Sequence, residues 1–362
     1  MERMLVVGGG VIGLMTAREL ALSGCQVTLL ERGDPGREAS WAGGGIVSPL
    51  YPWRYAPAVT ALSREARAAY PSLVAALQQE TGIDAELESC GMLMLDAEDA
   101  RDALAWAANE QEPIERYDAV ALSGQWPWLA VGWLDGLFMP GVAHVRNPRL
   151  LQALRASVER LGVVVLTAAE VVGAGSDGDR IASLHCRDGR EFAADQVILC
   201  GGAWSRTLLE SVGAGFVLPV RPVKGQMLLY RAAPGLLPCM VMNNGRYLIQ
   251  RKDGHILCGS TLEETGFEKA TTSGAREALM LTAGRLLPAL AGQEPVAQWA
   301  GLRPGSPNGI PFIGRVPGIC NLWVNTGHFR NGLVLAPASA RLMADLVLQR
   351  APLLDPAPYQ CL

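Results

Sequence analysis

Six residues near the start of the chain, Gly8-Gly9-Gly10-Val11-Ile12-Gly13, have the types and spacing to hold a phosphate. They satisfy G-x-G-x-x-G and follow the short apolar run Met4-Leu5-Val6-Val7, which reads as a strand buried on both faces of a parallel sheet. Ile12, Leu14, Ala17, Leu20 and Ala21 then recur at helical spacing until Gly24, and a second apolar run, Gln26 to Leu30, ends at Glu31. In such a strand-turn-helix-strand unit Gly8 permits the tight turn and Gly10 lets the backbone approach a pyrophosphate. Gly13 lets the helix pack on the strand, and the helix N-terminus meets the phosphates. Glu31 can accept hydrogen bonds from both ribose hydroxyls of an adenosine, and its charge repels a 2′-phosphate. NADP is disfavoured, and NAD or FAD remains.

A second candidate lies far downstream, in Leu302-Arg303-Pro304-Gly305-Ser306-Pro307-Asn308-Gly309. Arg303 falls between an apolar strand and a proline-rich turn, where a permanent charge is costly unless it meets an anion. It can clamp a carboxylate with two parallel hydrogen bonds, and a surface ion pair is the plainer alternative. Only four histidines occur, at 144, 185, 255 and 328, and neither H-E-x-x-H nor G-x-S-x-G is present. Metal-dependent and serine hydrolysis therefore have no motif behind them.

The elements that must position these groups can be read in outline. After Glu31 comes a long small-residue loop through Ala39-Ser40-Trp41-Ala42-Gly43-Gly44-Gly45-Ile46, suited to something flat and large. Asn147-Pro148 opens an amphipathic helix with Leu150, Leu151, Leu154, Val158 and Leu161 on one side. Short strands are expected at Val163 to Leu166, Glu170 to Gly173 and Ile181 to Cys186, and the buried run Gln196 to Cys200 ends at Gly201-Gly202-Ala203-Trp204-Ser205. Segments from Lys224, Arg246 and His255 read as a second sheet, and Thr271 to Leu290 as a helix ended by Pro288. Asn325-Thr326-Gly327-His328-Phe329-Arg330-Asn331-Gly332-Leu333 opens the last long helix, with Asn331 an N-cap by type. A helix is also expected from Ala56 to Gln79.

The 362 residues include 31 Lys plus Arg against 35 Asp plus Glu, a net charge of −4, with no basic run. Nothing here calls for nucleic acid or an anionic membrane. The 18% of charged residues is low for a soluble chain and fits a large core. Eight scattered cysteines with no C-x-x-C read as reduced, buried thiols, and the first apolar run is too short for a signal segment or a membrane span, so a cytoplasmic location is expected.

Taken in order, the fingerprint, the 39–46 loop, the Gly201 to Ser205 turn and the segments around Arg303 and His328 resemble the D-amino-acid oxidase and glycine oxidase family of FAD enzymes, nearest its glycine oxidase branch, over nearly the whole chain. The resemblance implies an α/β fold: a Rossmann-like FAD-binding domain built from 1–50, 145–215 and 302–362, and a mainly antiparallel-sheet substrate domain from 51–144 and 216–301. It implies FAD held by Gly8, Gly10, Val11, Ile12, Gly13, Glu31 and Arg32, by Ser40, Gly44, Gly45 and Ile46, by Val171, Gly201 and Trp204, and by Gly327, His328, Arg330, Asn331, Gly332 and Leu333. Arg303 and Tyr247 would bind the substrate carboxylate, with Arg330 near the amine. His328 could touch the ring or cap a turn.

The implied reaction is oxidative deamination of glycine or a small D-amino acid, D-proline or sarcosine included. The α-hydrogen leaves as hydride to flavin N5 with no essential protein base, and imine hydrolysis follows. Oxygen would reoxidise the flavin, giving hydrogen peroxide. A dehydrogenase passing electrons to a quinone or carrier uses the same residues, and a non-catalytic flavin-binding interaction protein is a third reading. Related sarcosine oxidases tether the flavin through a cysteine near the Arg303 segment, whereas Gln298-Trp299-Ala300-Gly301-Leu302 has none, so FAD is expected to be non-covalent. The branch implies imine supply for thiamine thiazole synthesis, and a homo-oligomer is possible. Trp41 and the Tyr51-Pro52-Trp53-Arg54-Tyr55 cluster could narrow the pocket or pack a domain interface.

Overall fold

The computed structural model describes residues 2–361. Arg3–Val7 sits inside a six-stranded sheet ordered Phe312–Arg315, Leu322–Thr326, Gln196–Leu199, Arg3–Val7, Gln26–Leu30 and Val164–Leu166. All neighbours run parallel except the edge strand Phe312–Arg315. The continuous apolar runs are explained by burial on both faces. Met4, Val6, Val27, Leu29 and Ile198 face one core, and Leu5, Val7, Leu30, Val197 and Leu199 the other, with the period of two a strand imposes.

On the first face lie helices Val11–Leu22, Asn147–Arg160 and Gly332–Val347. The expected division gives residues 51–144 to the substrate unit, yet Pro57–Thr81 packs along Gly332–Val347 and Asn147–Arg160 beside this sheet. The junction is specific: Pro337 cannot donate to the Leu333 carbonyl, and the buried Tyr70 hydroxyl donates to it instead at 2.6 Å. The second face carries a three-stranded meander, Val171–Asp177, Arg180–Cys186 and Glu191–Ala193, with helix Ser205–Ser211. Val164–Leu166 joins the parallel sheet, and Glu191–Ala193 completes the meander.

The second sheet has eight strands, ordered Ala297–Gly305, Arg221–Arg231, His255–Gly259, Arg246–Gln250, Met240–Asn243, Met92–Leu95, Asp135–Met139 and Glu115–Asp118. Leu228, Tyr230, Leu248 and Ile256 pack against helix Ser273–Leu286, while Met227, Tyr247, Ile249 and Leu257 form the opposite face. That helix stops short of Leu290 because Leu287, the residue before Pro288, is extended. A small sheet of Ile46–Val47, Ala143–His144 and Glu88–Ser89 joins the two units.

Two expectations about bulk are resolved by packing. The 32–46 loop contains a one-turn helix, Ala39–Ala42, pressed on strand Ala297–Gly305, with Trp299 Nε1 donating to the Ala42 carbonyl at 3.0 Å and meeting Trp41 edge-on. In the aromatic cluster Tyr51 and Trp53 pack against the eight-stranded sheet, and Trp53 Nε1 donates to Asp99 at 2.7 Å.

Candidate active site

Two cavities, of about 150 and 420 Å³, open between the sheets and share Gly10, Ala39, Ser40, Cys200 and Gly202 in their walls. The larger lies over the carboxyl ends of Arg3–Val7 and Gln26–Leu30 and is lined by Gly8, Gly10, Glu31, Arg32, Ser40, Val171, Gly201 and Trp204. The other, under the eight-stranded sheet, is lined by Gly10, Val11, Ile12, Ser40, Gly44, Gly45, Ile46, Tyr247, Arg303, His328, Arg330, Gly332 and Leu333. Among the expected site residues, Gly13, Gly327 and Asn331 line neither.

Each exception has a physical reason. A Cβ at Gly13 would collide with the Gly8 carbonyl oxygen, so this glycine serves helix-strand packing beneath the site. Gly327, at φ +80°, is enclosed by Phe312, Ser306 and Val220. Asn331 precedes the last helix, but its side chain makes no capping hydrogen bond and its amide nitrogen is buried without a partner. The 3₁₀ turn Phe329–Asn331 occupies the place where a cap would stand.

The residues present fit a dinucleotide. Gly10 ends the turn with no side-chain cap, leaving first-turn amides of Val11–Leu22 at the cavity wall; Val11 N donates to Ser40 Oγ at 2.9 Å. Glu31 is fixed by backbone donors, Gly9 N at 2.6 Å and Gly33 N at 2.9 Å. Arg32 stacks on Trp204, its guanidinium carbon 3.7 Å from the ring centre. Cys200 lines both cavities, and burial pushes its thiol up to about 12, so it is no thiolate nucleophile at neutral pH.

At the inner end, Arg303 is held by neutral groups. Its Nη2 donates to Ser260 Oγ at 2.6 Å and Nη1 to the Thr261 carbonyl at 3.3 Å, and among the described residues no Asp or Glu pairs with it. Burial lowers its pKa to about 10, which leaves it cationic at neutral pH. The guanidinium lies across Gly225 on the neighbouring strand, where any Cβ would collide with it. On the carboxylate-binding role expected of Arg303, Gly225→Ala displaces the guanidinium and raises KM for a carboxylate substrate by roughly tenfold or more, with the visible spectrum of the expected flavin retained. Steady-state kinetics beside that spectrum check this.

Arg303 lies in the strand itself, not after it. The strand continues through Pro304 because it is the sheet's edge and Pro304 faces Pro222. Tyr247 is buried with its hydroxyl 3.7 Å from Met227 Sδ and its ring against Gly44, where no Cβ would fit. Arg330 donates to the Gly245 carbonyl at 3.2 Å and lines the same cavity as Arg303.

His328 shares a hydrogen bond with Ser339 Oγ at 2.9 Å and lines the cavity, so its polar contact is to the helix rather than to a turn. Burial drives its pKa down from 6.5 to about 3. The unfolded chain binds this proton near pH 6.5 and the folded chain near 3, so stability is full above 6.5 and falls as pH drops towards 3. The loss at pH 5 is about 2 kcal/mol. His328→Gln is expected to flatten the fall in melting temperature between pH 7 and pH 5.

Several cavity-facing or supporting residues were not picked out from the sequence: Met227, Ser260, Cys200, Asn147 and Arg251. Asn147 Nδ2 donates to the Ser40 and Gly43 carbonyls at 2.8 and 3.1 Å, and the signal was an Asn immediately before a helix-opening Pro. Arg251 showed only as a strand-end arginine.

With this geometry in hand, comparisons with known proteins are consistent with one another. Residues 3–346 match the family model described as DAO, FAD dependent oxidoreductase. The chain is 55% identical to a glycine oxidase of Pseudomonas aeruginosa and 51% identical to one of Pseudomonas putida, in each case over 99% of this chain and 98% of the relative. The crystal structure of glycine oxidase from Geobacillus kaustophilus superposes with a TM-score of 0.94 at 31% identity, covering 100% of this chain and 99% of the other. Among the described residues no helix is long and apolar enough to cross a membrane. The chain belongs to the DAO family of FAD-dependent oxidoreductases.

Proposed function

We propose that this protein oxidatively deaminates glycine or a comparably small amino acid, using non-covalent FAD and passing the electrons to oxygen in the cytoplasm. The observation that carries the reading is Arg303: a cationic side chain in the cavity wall that Tyr247 also lines, with its hydrogen bonds among the described residues going to neutral acceptors. A carboxylate is the anion that completes such a site with bidentate geometry. The kinship with two glycine oxidases at 55 and 51% identity supports the smallest such substrate.

Bound FAD supplies the hydride acceptor, and the amine leaves as an imino acid that water hydrolyses to keto acid and ammonia. The protein's own residues do the rest. Arg303 and Tyr247 fix the carboxylate, and so the distance of the α-carbon from the cofactor. The loop 43–46 and the apolar face of Met227 and Leu50 exclude water. The uncapped amides at the start of Gly332–Val347 put the positive end of a helix dipole at the wall, where it favours negative charge. No side chain is needed as a general base, because the neutral amine's lone pair assists loss of the hydride. The product imine is the species that thiamine thiazole synthesis would take, and we extend the proposal to that supply.

The test is anaerobic mixing of the purified holoprotein with glycine, sarcosine, D-alanine, D-proline and L-amino acids, following the visible flavin band. Bleaching by glycine or D-forms with L-forms inert, followed by peroxide release on admitting air, supports the proposal. No bleaching by any of them removes the substrate assignment. Bleaching without peroxide moves the electrons to another acceptor.

A further inference from the structure

We propose that Arg251 is a positioning residue for the cofactor: through one buried guanidinium it fastens the flavin-facing loop 43–46 to the eight-stranded sheet. The inference rests on the placement of the flavin against that loop.

Arg251 immediately follows the strand Arg246–Gln250 that carries Tyr247, and it is only 5% exposed. Its Nη2 donates to the Gly44 carbonyl at 2.7 Å, and its Nη1 donates to the Val145 carbonyl at 2.9 Å and meets His144 Nδ1 at 2.7 Å. Gly44 and Gly45 line the cavity, and the Gly45 carbonyl is itself taken by Val145 N at 2.8 Å. The three partners thus belong to the loop and to the strand that supports it. A guanidinium with a fixed planar fork can span such a set; an ammonium cannot.

His144 completes the arrangement. It is the middle residue of the small junction sheet, paired with Ile46 on one side and Glu88 on the other. Its Nε2 points to Glu88 Oε2 at 3.5 Å, which places the proton on Nε2 and leaves the Nδ1 lone pair for Arg251. Burial and the neighbouring Arg251 hold His144 neutral, with its pKa down at about 3. Gly44 is consequently held twice: the Tyr247 ring packs where its Cβ would stand, and Arg251 takes its carbonyl. Among the described residues no carboxylate pairs with Arg251, so its role is not that of an ordinary ion-pair anchor.

The experiment compares Arg251→Met, Arg251→Lys and His144→Phe with the unaltered protein, each as holoprotein and as flavin-stripped protein. The readouts are FAD dissociation constant, circular dichroism of the visible flavin band, and melting temperature. The proposal expects Arg251→Met to weaken FAD binding by roughly tenfold or more, with altered visible dichroism. It also expects the holoprotein to lose more melting temperature than the stripped protein, since binding to the folded state alone sets that difference. Lysine should rescue little, and His144→Phe should shift both flavin readouts in the same direction by a smaller factor, which keeps the test open if Arg251→Met fails to fold.

Equal losses of melting temperature in both forms, with FAD affinity and dichroism unchanged in the folded variants, would overturn the proposal in favour of a purely structural arginine. Full rescue by lysine would also overturn it, since charge and not the three-way span would then be what matters. If the unaltered protein itself fails to retain FAD, the placement of the cofactor fails first, and the two failures are distinguishable.

Discussion

Arg303→Ala is expected to lower kcat/KM for a small amino acid by about 2–4 kcal/mol, roughly thirty- to a thousandfold, mostly through KM, while the protein purifies with its flavin in place. The guanidinium's protein contacts are Ser260 Oγ and the Thr261 carbonyl, both on the segment after strand His255–Gly259. Removing it frees those two acceptors but also removes a charge whose burial the fold disfavours, so the net cost to the fold is small. The cost to the substrate is large because the other arginine lining the cavity, Arg330, is already engaged with the Gly245 carbonyl. Comparing glycine with an amine that lacks the carboxylate isolates the interaction: the variant should lose rate on the first and little on the second. An unchanged kcat/KM for glycine would take Arg303 out of the substrate site.

Local signals made the proposed cofactor half of the site legible. Met4 to Val7 is uniformly apolar because both faces of that strand are covered, and the glycines after it do jobs that no other residue can do. Gly8 has φ +107°, and Gly13 leaves no room for a Cβ. Such constraints act within a few residues, so the spacing itself records them. Glu31 was legible for the same reason, since it ends the strand next door.

What the sequence hid was set by long-range contact. Arg251 looks like a solvent-facing charge at a strand end. It is buried because its partners Gly44 and His144 lie 207 and 107 positions away. Lys224 is similar: at 2% exposure it pairs with Glu263 at 3.0 Å, and a bridge between their backbones brings the two together. The turn expected at Arg303-Pro304 became strand, because an edge position beside Pro222 asks for no donor there. Asn331 had the right type for a cap, but the preceding 3₁₀ turn left its amide pointing elsewhere. The helix Pro57–Thr81 was legible as amphipathic, and its partner was not, because the tie to Leu333 depends on Pro337 lacking a donor 267 residues beyond Tyr70 (337 − 70).

Gly10→Val is expected to yield a folded protein that binds FAD at least a hundredfold more weakly, about 2.7 kcal/mol, and elutes colourless from a sizing column. Gly10, unlike Gly8, has ordinary extended dihedrals, φ −72° and ψ −179°, so the backbone itself does not demand glycine. Unlike at Gly13, an added Cβ meets no backbone: the nearest atom is Ser40 Oγ at 3.2 Å, a tight contact that Ser40 relieves by turning away from Val11 N. In the bare protein the Cβ therefore costs about one hydrogen bond, roughly 1 kcal/mol. The space it fills is the approach to the first-turn amides of Val11–Leu22, where a pyrophosphate must come within hydrogen-bond distance of the backbone. Gly13→Ala should behave in the opposite way, since its Cβ would collide with the Gly8 carbonyl oxygen whether or not a ligand is present. The flavin-stripped Gly10→Val protein should melt close to the stripped parent, whereas Gly13→Ala should fail to accumulate in folded form. A Gly10→Val protein that stays yellow, with undiminished affinity, would mean that the dinucleotide does not lie on this helix.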